Sequence, residues 1–210
     1  MMKPDADSNT TFLNNVMRKT GLFFASVLLV NVGPGCHSGT GSIVEQAPKI
    51  ELFTATDSVV VTQTVMTFLT WYKAHIGAIS QIQLVNQVPG KPYSVNLKNG
   101  ERYLAYLRTS NLLTDSYLDE WRLFFNQRDE GFLANPQVEG PPTGFEYDLV
   151  LLNQDVDQQL NSLKLLKIEK VTVARSRATV QFSLLGVYEF RLVRRNNRWL
   201  INEILNLSEE

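Results

Sequence analysis

The sequence predicts an α+β fold, with helices in its N-terminal half and an antiparallel sheet in its C-terminal half. Two observations carry this. From Val59 to about Gly131, apolar side chains return every three or four positions, the period of a helix with one buried stripe. From Leu166 onward they alternate with polar ones, as in strands with one buried face. The Gly140-Pro-Pro-Thr-Gly144 stretch opens that second half.

Residues Met1 to Val16 are polar, carry Asp5 and Asp7, and fit no recognisable pattern. Translation is expected to start at Met17, with 1–16 an annotation extension. Arg18 and Lys19 then precede an apolar run from Gly21 to Val32, followed by Gly33, Pro34, Gly35 and Cys36, the only cysteine. A positive start, an apolar run of about 7–15 residues and small residues at a cut make an export signal. The run is shorter than the roughly 20 apolar residues that span a bilayer, and Gly-Pro-Gly would break a core helix. This segment resembles a bacterial lipoprotein signal, in which the cysteine becomes the lipidated first residue of the mature chain. Gly35 fits that pattern, whereas Gly33 stands where an apolar residue is usual and Pro34 is uncommon there. The same layout also reads as an ordinary signal peptide with Cys36 incidental.

The expected organisation is a signal over 17–35, a lipidated Cys36 with a flexible tether to residue 56, and one domain over 57–210. From His37 to about Lys49 the chain is aperiodic, with Ser, Gly, Thr and Pro; a coil of that length reaches roughly 20 Å on average. The anchor implies a partner in the membrane and a place on the bacterial cell envelope, facing the periplasm or exterior.

Composition narrows the chemistry. The 174 residues after Cys36 suffice for one domain with a sizeable core. They carry 17 Lys and Arg against 19 Asp and Glu, after loss of Lys3, Arg18, Lys19, Asp5 and Asp7, giving a formal charge of −2. No basic stripe appears, so nucleic acid is not expected as a partner. Without a second cysteine no intrachain disulfide can form. His37 and His75 are the only histidines, too few for the usual zinc sites, and no cofactor is expected. No Gly-x-Ser-x-Gly elbow accompanies His75, and no catalytic residue is assigned.

The first helix is expected over Val59–Ile79, with Val61, Val65, Phe68, Leu69, Tyr72 and Ile76 as its stripe and Asp57 or Ser58 as its cap. His75, at the edge of the stripe and one turn beyond Trp71, reads as a part-buried, hydrogen-bonded histidine. Pro89, Gly90 and Pro92 break the chain, and Asn99-Gly100 reads as a turn before a short helix over Glu101–Arg108. A longer helix from about Thr114 carries Tyr117, Leu118, Trp121, Phe124 and Phe125 on one face, with Asp119 and Arg122 pointing away. Gly131 and Pro136 end it. That aromatic face has the period of a packed helix rather than of a cofactor box. Asp155 can cap a short helix over Val156–Leu163, with Asp157 in its first turn.

In the second half, Leu166 and Ile168 differ in parity from Val171 and Val173, which predicts a bulge near Lys170. Ala178, Val180, Phe182 and Leu184 form one inward face, and Tyr188, Phe190 and Leu192 another. Asn196-Asn197 turns the chain into a last strand in which Trp199 and Ile201 share a face.

Helices followed by Ala178-Thr-Val-Gln-Phe, Tyr188-Glu-Phe-Arg-Leu-Val and Trp199-Leu-Ile-Asn-Glu-Ile204 resemble the nuclear transport factor 2-like (cystatin-like) superfamily. The segment from Tyr147-Asp148 through Asn153-Gln154-Asp155 resembles, within it, the bacterial domain-of-unknown-function family 3828. The likeness covers roughly residues 60–207. It implies a cone: N-terminal helices packed on a strongly bent antiparallel sheet, with a cavity whose mouth gathers loops. Tyr147, Asp148, Asn153, Gln154, Asp155 and Asp157 are the candidate ligand-binding residues at that mouth. Two functions follow as expectations. One is a non-catalytic binding domain on the envelope, for a protein, peptide or small-molecule ligand. The other is a cavity enzyme of isomerase or dehydratase type, with Asp148 as base beside Tyr147, Tyr117 or His75.

Overall fold

The computed structural model describes residues 55–208. The expected signal, the expected lipidation at Cys36 and most of the expected tether lie outside the described residues. Helix α1 spans Ala55–Ile79. A two-stranded ribbon follows, in which β1 (Val85–Asn86) pairs antiparallel with β2 (Ser94–Val95). Helices α2 (Leu97–Arg108) and α3 (Asp115–Ala134) come next, and a short helix α4 (Val156–Asn161) stands after a long loop. The chain ends in four strands: β3 (Lys167–Ala174), β4 (Arg177–Ser183), β5 (Val187–Arg195) and β6 (Arg198–Asn206). They form one antiparallel meander in chain order. The α+β class and the helices-then-sheet order are those the periodicities predict.

The core lies between α1 and the sheet. Val61, Val65, Phe68, Leu69 and Tyr72 are all fully buried, and they share one face because helical spacing stacks them. Opposite stand Val180 and Phe182 of β4, Phe190 and Leu192 of β5, and Ile201 and Ile204 of β6, all buried. Phe190 meets Phe68 edge-on at 6.2 Å and Phe182 at 5.3 Å, offset geometries that suit the ring quadrupoles. Asn196 and Asn197 both take positive φ, the conformation a tight two-residue hairpin between β5 and β6 demands.

Several local expectations are corrected. Helix α1 starts at Ala55, so neither Asp57 nor Ser58 caps it. Asp57 instead accepts a hydrogen bond from the Trp199 indole at 3.3 Å, linking the helix to β6. Asn99 and Gly100 are no turn but the first turn of α2, whose cap is Asn96, its side chain accepting from the Asn99 amide. Glycine is needed there for space: a Cβ on Gly100 would stand 2.9 Å from the Phe125 ring of α3. The short helix ends at Asn161, and Asp155 occupies its cap position without making a side-chain capping bond.

The bulge near Lys170 is present, as a register shift between Ile168 and Lys170. A second shift, between Arg191 and Leu192, leaves Asn202 as an extra residue in β6. The Asn202 side chain accepts from the hydroxyl of Thr114, which itself caps α3 by accepting from the Tyr117 amide. Strand β3 is one of the sheet's two edges, β6 the other; most β3 residues are exposed, and Lys167, Glu169 and Lys170 stand along it. Among the described residues no helix is long and apolar enough to cross a membrane.

Candidate functional site

A cavity of about 560 Å³ opens where the end of α1 meets the loop before α4. Ile76, Ile79 and Ser80 supply one wall, and Ile82 to Val85 with Gln87 a second. Tyr103 of α2 enters from behind, and Pro142, Phe145, Tyr147, Asp148 and Leu149 close it with Val156 and Asp157. No residue of the four-stranded sheet lines it. The hollow of this molecule thus lies beyond the end of α1, while the space between helix and sheet is filled with aromatic and aliphatic side chains.

Asp148 is the most constrained group in this cavity. One carboxylate oxygen accepts from the Val150 and Leu151 amides at 3.1 and 2.7 Å, folding the loop around it. The other accepts from the Tyr72 hydroxyl at 2.5 Å. Its own amide donates to the Asn153 carbonyl, so the loop from 148 to 153 closes on itself. Burial pushes the Asp148 carboxyl above the usual carboxylate range; the hydrogen bonds from Leu151, Tyr72 and Val150 work against this, and the charge of Asp157 adds to it. No salt bridge reaches Asp148 or Asp157 among the described residues.

Four buried tyrosines feel the charge of this acid, and Tyr72 touches it. Burial first, and the Asp148 charge among the further causes, raise Tyr72, Tyr103, Tyr117 and Tyr188 above the ordinary phenol value, Tyr188 to about 12. All four therefore stay protonated at neutral pH. The Tyr188 hydroxyl is buried without a partner among the described residues.

Of the six residues expected at a binding mouth, the cavity gathers Tyr147, Asp148 and Asp157. Asn153, Gln154 and Asp155 lie outside its lining. Asn153 works within the loop, its side chain accepting from the Asp155 amide at 2.7 Å. Gln154 and Asp155 face solvent. His75 sits elsewhere, its Nδ1 at 2.7 Å from the Trp71 carbonyl and its ring stacked on Trp71 at 4.6 Å. Sequence reasoning missed Tyr72 and Tyr103 as partners of the site. Both occupy positions on helical stripes, where a tyrosine reads as core, and only their polar ends depart from that role. Among the described residues no three histidine, cysteine or carboxylate side chains come together to hold a metal.

No protein-family model, curated protein or solved structure matches this chain.

Proposed function

We propose that this chain is a bacterial envelope lipoprotein, held to the membrane through Cys36, whose α+β domain captures a small molecule without transforming it. The fold is read as a nuclear transport factor 2-like domain of the kind seen in family 3828, on the strand pattern from Ala178 to Ile204. The anchor reading rests on Arg18, Lys19, the apolar run and Gly35-Cys36.

One observation carries the choice of binding over chemistry. Asp148 faces a largely apolar cavity, yet three of its roughly four acceptor positions are engaged by Val150, Leu151 and Tyr72. A carboxylate so committed holds a loop and offers a ligand one remaining lone pair. A general base must instead approach the proton it removes with an open oxygen. The cavity volume also falls within the range of about 300–1,000 Å³ usual for small-molecule sites. The cavity enzyme keeps one supporting observation: Asp148, with raised proton affinity, and the Tyr103 hydroxyl share the same space.

The deciding experiment recovers the full-length protein from envelope in mild detergent and measures its mass under native conditions. An unaltered small molecule riding on the wild-type chain, and lost from the Ile79→Trp variant that fills the cavity, is the expected result. Conversion of the captured molecule on incubation, abolished in Asp148→Asn, would favour the enzyme instead. Clickable palmitate labelling, absent in Cys36→Ser, tests the anchor separately.

A further inference from the structure

The cavity's electrostatics are one-sided. Its lining includes two carboxylates, Asp148 and Asp157, and no lysine, arginine or histidine. The two acids are close enough that Asp157 disfavours the charge on Asp148, and no side chain of opposite sign pairs with either among the described residues. The Asp148 carboxylate, taken out of water without a cation, carries a cost that a cationic guest would remove, and the exposed Asp157 adds a second negative charge beside it. Three aromatic rings, Phe145, Tyr147 and Tyr103, stand in the same wall. Phe145 is braced from behind by Phe125, stacked at 6.2 Å, and Phe124 at 5.7 Å. A ring held in this way presents a fixed negative face. Most of the remaining lining is aliphatic, with Ile76, Ile79, Ile82, Leu84, Leu149 and Val156, beside the neutral polar side chains of Ser80, Gln83 and Gln87.

We propose that the cavity selects an amphipathic cation, an amine or quaternary ammonium on an apolar body, whose charged head lies by Asp157 and Asp148. The aliphatic wall takes the body, and the aromatic rings supply a second attraction for the head. The same charges repel fatty acids, phosphorylated molecules and other anions of equal size. This inference deepens the small-molecule reading above and rests on it. Asp157 is the discriminating group, because its carboxylate is exposed and carries none of the loop-holding bonds that occupy Asp148.

The test uses full-length protein and three probes with the same eight-carbon tail: octyltrimethylammonium, octanol and octanoate, each below its micelle concentration. Calorimetry at low salt should rank them in that order, with the ammonium at least about tenfold tighter than octanoate. The preference should shrink several-fold in Asp157→Asn and in high salt, since an exposed charge is screened. Octanol binding with no gain from the ammonium head, or a preference unchanged in Asp157→Asn, would overturn the charge selection and leave the small-molecule reading standing. If none of the three probes binds, both readings fall together.

Discussion

The two sides of α1's C-terminal half make an instructive contrast. Towards the sheet, Phe68, Leu69 and Tyr72 are fully buried, and Phe68 meets the Phe190 ring of β5. Past its last turn, Ile76 and Ile79 border a hollow closed by an irregular loop. Regular elements can interdigitate because each presents side chains at a fixed repeat, and such packing leaves few voids. A loop that must satisfy its own amides around Asp148 has no such repeat to offer. The difference teaches that the closed half of this molecule carries its stability, and the open half leaves the space that the proposed ligand would fill.

The sharpest way to break that contrast is to cut one large side chain from each half. Phe190→Ala removes a fully buried ring from between Phe68 and Phe182 and should cost about 3–5 kcal/mol in urea unfolding. Ile76→Ala, at the cavity wall and only half-buried, should cost about 1 kcal/mol or less. Equal losses would mean that the hollow is as tightly packed as the core.

A second pair probes the loop. Asp148→Ala strands the Val150 and Leu151 amides and the Tyr72 hydroxyl, so a loss of about 3 kcal/mol is expected. Asp148→Asn keeps an acceptor for the two amides and should lose about 1 kcal/mol. Urea midpoints of the two variants check this, and a silent Asp148→Ala would remove the claim that this acid organises the loop.

The smallest effect lies away from the cavity, on α3. Burial, and then the charge of Glu203, push the Glu120 carboxyl from 4.5 up to about 7. Between those values the folded chain holds a proton that the unfolded chain has released, so stability falls as pH rises from about 4.5 to 7 and levels off above. Because Glu120 is only half-buried, solvent screening reduces the effect to the order of 1 kcal/mol. Glu120→Gln should flatten that slope in melting curves taken across this range, with its largest gain at neutral pH.

How far the chain could be read in advance follows the same division. The helix stripes and strand alternation were legible, because each records one buried face repeated over many residues. The Asn99-Gly100 pair misled: its composition is that of a turn, and the reason for the glycine is a ring 25 residues further along the chain, Phe125. The Asn202 bulge left no signal, since its cause is the Thr114 hydroxyl on another element. At the site, Asp148 was one of six residues that the family resemblance puts at a cavity mouth. The sequence could not place Tyr72 against it, a partner 76 positions away. Asn153, Gln154 and Asp155 looked equivalent to Asp148 by proximity, but one turns its polar groups into the loop and the others out to water.

The free margin of the meander has a consequence for handling this protein. Strand β3 offers unpaired backbone groups, yet its path is kinked between Ile168 and Lys170 and studded with Lys167 and Lys170. A second copy trying to zip onto it would meet a broken ladder and a fringe of charged side chains. Concentrated preparations should therefore stay clear of fibres, and straightening the kink by deleting Glu169 should make them cloud.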